Sequence, residues 1–173
     1  MKRFLAALTC CGLLALSSCS DESSSSADPP SPTPTSTSSE PSPSQEAETP
    51  EEFVRRWVDA DTHMQNTGDG ADYREMSPEC PNCLEYADYI EGIWDAGGYV
   101  KTDGWLIKRS RTSEPTETGG VEVTIDVTST PADFVAKEGD PVQHYEKHEQ
   151  TYIVALQPID DGWVATNFSE VAK

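Results

Sequence analysis

The residues whose types and spacing could do chemistry are five cysteines, three histidines and one acid that breaks an apolar pattern. Cys80-Pro81-Asn82-Cys83 admits three chemistries. As a structural disulfide it closes a very small loop, worth about 2 kcal/mol by chain entropy. As a redox dithiol it would gain from a helix N-terminus, which lowers a thiol pKa, but the βαβ context of thioredoxin-like motifs is missing. As half a zinc site it needs two more ligands, and His144-x3-His148 offers them. On an extended strand those two histidines would lie about 13 Å apart, too far for one metal. The pair therefore reads as a disulfide between Cys80 and Cys83, with no metal and no cofactor expected. His63 falls on the polar side of a helix and reads as a solvated residue.

Asp61 is the acid in question. At 100° per residue it falls inside the apolar sector formed by Phe53, Val54, Trp57, Ala60 and Met64. An acid there faces a core or the mouth of a pocket, and burial raises a carboxyl pKa. Asp59-Ala60-Asp61-Thr62-His63 begins like a calcium loop but lacks the central glycine and the closing glutamate. The sequence has no Gly-x-Ser-x-Gly elbow and no phosphate-cradling glycine loop.

The remaining cysteines belong to an address. Met1-Lys2-Arg3 is a positive start, Phe4 to Leu16 is an apolar run, and Leu16-Ser17-Ser18-Cys19 has the form of a lipobox. Residues 1–18 thus read as a lipoprotein signal peptide, too short to span a bilayer. Cys19 is expected to carry a diacylglyceryl group and palmitate, leaving only Cys80 and Cys83 outside the membrane, where disulfides persist. The expected location is the extracytoplasmic face of the cell membrane, reached through lipid on Cys19.

The elements that position these residues begin after a spacer. Residues 19–48 form the lipidated cysteine and a linker of Ser, Thr, Pro and acids, without Lys, Arg or large apolar residues. Such a segment buries too little surface to offset ordering entropy. Its reach lies between about 30 Å as a coil and about 90 Å as polyproline II. The whole chain of 173 residues carries a formal charge of −19. Loss of Lys2 and Arg3 leaves 10 basic against 31 acidic residues, or −21. A field of that sign repels nucleic acid, and no basic stripe is present, so nucleic-acid binding is excluded.

Residues 49–173 read as one α+β domain. Thr49-Pro50-Glu51-Glu52 is a capping box with proline at the first helical position, predicting a helix from Pro50 to about Asn66 that stops near Gly68. A short helical piece is predicted between Asp69 and Met76, then a turn over residues 77–83. A second helix follows from Leu84 to Ala96, with Leu84, Ala87, Ile90, Ile93 and Trp94 inward. The period then changes to two. Strands are predicted at Trp105–Arg109, Val121–Thr128, Tyr152–Leu156 and Trp163–Val171, with Tyr152–Leu156 covered on both faces. Helices followed by about four sequential strands predict an antiparallel sheet with helices on one face.

Cys80-Pro81-Asn82-Cys83, the helix after it, Gly97-Gly98 and Gly104-Trp105 resemble an actinobacterial lipoprotein family of unknown function, the domain of unknown function 6318 type. Such domains resemble the nuclear transport factor 2-like cone, in which a curved sheet wraps helices around a pocket. The resemblance supplies no established activity. Enzymes sharing the cone use acids and histidines facing its pocket for proton transfer, which implies Asp61 as a general base in an aromatic pocket with Trp57 and Trp94. The reading preferred here is a non-enzymatic binding or accessory domain for an envelope protein or small ligand. The alternatives are an isomerase- or cyclase-like enzyme using Asp61, and a structural component of the envelope.

Overall fold

The computed structural model describes residues 47–172. The signal segment, Cys19 and the linker up to Glu46 lie outside the described residues. Helix α1 spans Pro50–Thr67, and its N-terminus is closed as the sequence predicts. Glu52 N–H donates to Thr49 Oγ1 at 3.3 Å, and Thr49 N–H donates back to Glu52 Oε2 at 2.9 Å. The C-cap is Gly68, left-handed at φ 75°, with its N–H bonded to the Met64 carbonyl. Phe53, Val54, Trp57, Val58, Asp61 and Met64 form the buried face. Among the described residues no helix is long and apolar enough to cross a membrane.

After a short α2 (Ala71–Glu75), helix α3 spans Pro81–Asp95. It starts three residues before the expected Leu84, so Pro81, Asn82 and Cys83 form its first turn and Cys80 is its N-cap. The two prolines of this stretch read as a loop in sequence. Pro81, however, occupies the first helical position, where the missing N–H costs nothing and the fixed φ favours the helix. Inward residues are Cys83, Ala87, Ile90 and Ile93, with Leu84 and Trp94 half-buried.

All four predicted strands are present. They are β2 (Trp105–Thr112), β3 (Val121–Ser129), β6 (His148–Ile159) and β7 (Gly162–Glu170), joined in that order into one antiparallel sheet. β3 alternates as predicted, with Val121, Val123, Ile125 and Val127 buried. Register shifts between Ile107 and Arg109, and between Ala155 and Leu156, bend the sheet as β-bulges do. α1 lies against β2, β3 and β7, and α3 against α1 and β7. The result is the curved sheet around helices expected of a cone.

Two details of the sheet differ from expectation. Tyr152, Val154 and Leu156 are buried, but Ile153 and Ala155 on the opposite face are only half-buried, because helices cover one side alone. A second sheet, in the order β1-β4-β5, joins Tyr99–Thr102, Ala132–Val135 and Gln143–Tyr145. These strands of three or four residues are too short to show a period of two. His144 and His148 therefore fall on different strands, parted by Glu146-Lys147. His144 Nδ1 lies 2.6 Å from Asp133 Oδ1, and His148 Nε2 lies 2.8 Å from Gln150 Oε1.

Candidate functional site

Asp61 lies in the interior, at 2 % exposure, with α1 presenting it among aromatic rings. Gln65, one helical turn on, donates from Nε2 to Asp61 Oδ2 at 2.8 Å. Asp61 Oδ1 has no hydrogen-bond partner. Desolvation pushes the carboxyl up to about 7, against the smaller opposing pull of Gln65 and Tyr86. Burial also raises the phenols of Tyr73, Tyr86 and Tyr152, and the Asp61 charge adds to each. The same core holds a run of aromatic contacts. Trp57 lies 5.0 Å from Tyr73 and 5.2 Å from Phe168, and Phe168 lies 4.9 Å from Tyr152. The buried carboxyl thus sits in a core rich in aromatic side chains.

The residues predicted to share a pocket are separately employed. Trp57 is fully buried and donates from Nε1 to Ser77 Oγ at 2.8 Å. Trp94 donates from Nε1 to the Gln65 carbonyl at 3.0 Å and covers Gly68 so closely that a Cβ there would lie 2.6 Å from it. Trp57, Asp61 and Trp94 line none of three clefts found on the described surface. Cys80 and Cys83 are both buried, with their sulfurs at disulfide distance, 1.94 Å, at the entry to α3. No group of three or more His, Cys, Asp or Glu suited to a metal occurs among the described residues.

Two of the clefts lie along the outer side of α1, where the chain enters the domain. The 490 Å³ hollow runs past Phe53, Arg56, Asp59, Glu75 and Trp163. Entering chain already occupies part of this region. Arg56 grips Glu48 with two bonds of 2.9 and 2.8 Å, and Trp163 Nε1 donates to the Glu48 carbonyl. These clefts form the seat of residue 48.

The third cleft, of 230 Å³, is at one end of the four-stranded sheet. The strand register builds it. Trp105 on β2 pairs with Ser129 on β3, and Ser129 pairs with His148 on β6, so three lining residues stand on one rung. Further along β6, Tyr152 stacks on Trp105 with centroids 4.7 Å apart and planes 8° from parallel. Gln65 closes the cleft from α1, and Thr102, Gly104 and Thr130 close it from the crossing between the two sheets. Gly104 has φ 79°, and a Cβ there would lie 2.1 Å from Thr62 Oγ1, so only glycine fits.

The model of the Family of unknown function (DUF6318) matches residues 20–169. The chain belongs to this family. The family model begins within the spacer and continues through the domain almost to its end, so the cleft and Cys80–Cys83 both lie inside it. No curated protein matches the sequence. Among solved structures, the intermembrane space region of chloroplast protein ARC6 is similar at 19% identity and TM-score 0.46, covering 76% of this chain and 100% of that one. A putative aromatic ring hydroxylase from Novosphingobium aromaticivorans is similar at 10% identity and TM-score 0.47, covering 71% and 90%. Aln2 from a Streptomyces species is similar at 12% identity and TM-score 0.44, covering 73% and 94%. At these scores the likenesses say nothing about what the chain binds or does.

Sequence reasoning named Asp61 and passed over Gln65, Ser129 and Gln150. Asp61 interrupts a pattern, which makes it visible. A glutamine or serine beside a cleft has no such signal, because it is equally at home on any wet surface.

Proposed function

We propose that this chain is an extracytoplasmic lipoprotein, held at the membrane by lipid on Cys19, whose folded domain is a non-enzymatic binding module. Its binding site is the cleft at the end of the sheet. The observation that carries this reading is the place of Gln65: it lines the cleft on one side and donates to Asp61 on the other. A ligand in the cleft meets the glutamine and the Trp105–Tyr152 stack, while the carboxyl stays sealed behind them. A small, mostly preformed hollow with a few convergent polar groups is what binding sites share. The anchor rests on Leu16-Ser17-Ser18-Cys19 and on the acidic spacer that follows.

The alternative enzyme uses Asp61 as general base, and its carboxyl near 7 suits proton transfer at neutral pH. A base must come within hydrogen-bond reach of the proton it removes, and here Gln65 stands in the way. The binding module is therefore preferred. Two variants test the two halves of the reading. Cys19→Ser is expected to move the protein from the membrane fraction to the medium, and retention on membranes would refute the anchor. Trp105→Ala is expected to abolish ligand-induced changes in indole fluorescence. A turnover detected in the full chain and lost in Asp61→Asn would instead establish the enzyme.

A further inference from the structure

The cleft differs in chemistry from the rest of the chain. Asp, Glu, Lys and Arg make up 25% of the sequence, yet none of the eleven residues lining this cleft is one of them. Neither the buried Asp61 nor the exposed Glu170 lines the cleft, and each is engaged by an amide from a residue that does. Gln150 Nε2 donates to Glu170 at 2.9 Å, and Gln65 Nε2 donates to Asp61 at 2.8 Å. The two carboxyls therefore hold these amides in place without lining the hollow themselves.

What the lining offers is unspent hydrogen bonding. Three of the four tryptophans satisfy their indole N–H within the protein, on Ser77, Gln65 and Glu48. The fourth, Trp105, has no acceptor for Nε1 among the described residues, and it lines the cleft. Ser129 is buried at 7 % exposure, and its hydroxyl makes no bond among the described residues. Gln65 uses its amide N–H on Asp61 and leaves Oε1 without a donor. An indole donor, a hydroxyl and an amide carbonyl thus stand around one aromatic stack.

We infer that this cleft binds a neutral, hydroxyl-rich ring, a single saccharide unit, through the Trp105–Tyr152 stack and the free polar groups of Gln65, Trp105 and Ser129. Vicinal hydroxyls both donate and accept, which suits a mixed set of one donor, one acceptor and one hydroxyl. The C–H face of a sugar ring packs on an aromatic face. An ammonium ligand would find no carboxylate in the lining, and a carboxylate would find only His148, whose two ring nitrogens already face the Glu146 carbonyl and Gln150 Oε1, so either would lose its hydration with little compensation. At 230 Å³ the cleft falls below the roughly 300 Å³ where pockets for larger ligands begin, so it holds one ring. The unit is either a free monosaccharide or the end of an envelope glycan. This inference rests on the cleft being the binding site proposed above.

The test is titration of the ¹⁵N-labelled full chain, followed by the four indole N–H signals in NMR spectra. The probes are glucose and N-acetylglucosamine, their charged relatives glucuronate and glucosamine, and the soluble β-1,4-linked tetramer of N-acetylglucosamine. A neutral sugar is expected to shift the Trp105 signal and leave the three internally bonded indoles still, with the charged relatives at least tenfold weaker. Ser129→Ala, a change too small to threaten folding, should weaken binding about fivefold, the effect of one hydrogen bond. Trp105→Ala should weaken it at least tenfold, with circular dichroism confirming the fold. Tighter binding of the tetramer identifies a glycan end, and equal binding identifies a free sugar. Preference for glucuronate or glucosamine would overturn the inference and leave the cleft as a binding site. The same follows if only peptides or aromatic fragments, screened in parallel, shift Trp105. If no compound shifts it, the binding module falls as well.

Discussion

Gln65 Nε2 donates to Asp61 Oδ2 at 2.8 Å, which ties the wall of the surface cleft to a carboxyl buried in the core. The two residues are one turn apart on α1, so the helix itself sets their spacing. The bond gives the buried acid a structural task, which is to hold an amide in one orientation.

That acid makes stability depend on pH. Its folded pKa, about 7, lies above the ordinary aspartate value of about 3.9. Below the lower value both states are protonated and burial carries no ionisation penalty. Between the two values the folded state holds a proton that the unfolded state has released, so stability falls as pH rises and levels off above the folded pKa. The loss is on the order of 4 kcal/mol. The groups facing the carboxyl are Gln65 and the phenols of Tyr73, Tyr86 and Tyr152, all neutral across this range. Urea unfolding at pH 4.5 and 7.5 should show wild type losing stability relative to Asp61→Asn. A difference independent of pH would remove the titration from Asp61.

Gly104 and Gly68 are predicted to tolerate no side chain. Both have positive φ, and an added Cβ would meet Thr62 and Trp94 respectively, well inside contact distance. Gly68→Ala should cost about 1 kcal/mol for the left-handed backbone alone, and more for the displaced indole. Gly104→Ala should in addition disturb the cleft, because Gly104 lines it. Thermal melts of both variants check the first effect, and the Trp105 indole signal checks the second.

Reduction of the Cys80–Cys83 pair should lower stability modestly. The closed loop is short, with a sequence separation of 3, so chain entropy gives only about 2 kcal/mol. Mass spectrometry of the protein isolated without reductant should find two hydrogens missing between these residues. Recovery of two free thiols would leave the first turn of α3 held by packing and Pro81 alone.

Removal of the α1 cap should be equally measurable. Thr49→Ala takes away the acceptor for Glu52 N–H and should cost about 1 kcal/mol. An unchanged denaturation midpoint would mean that Arg56–Glu48 and Trp163–Glu48 hold the helix start unaided.

Local patterns were legible because their causes are local. The capping box, the stop at Gly68, the alternation of Val121 to Val127 and the misfit of Asp61 each depend on residues within a few positions. They determined the helices, the four-stranded sheet and the burial of one acid. α3 began earlier than predicted because Pro81 can open a helix as readily as it can end a loop. The second sheet was hidden because strands of three or four residues carry no readable period. The cleft was hidden for a deeper reason. Trp105, Ser129 and His148 are neighbours only through the register of three strands, and Gln65 joins them from a helix far earlier in the chain. Sequence determined which residues must be buried; the tertiary structure decided which surface residues would face one another, since strand register depends on pairing across the whole sheet.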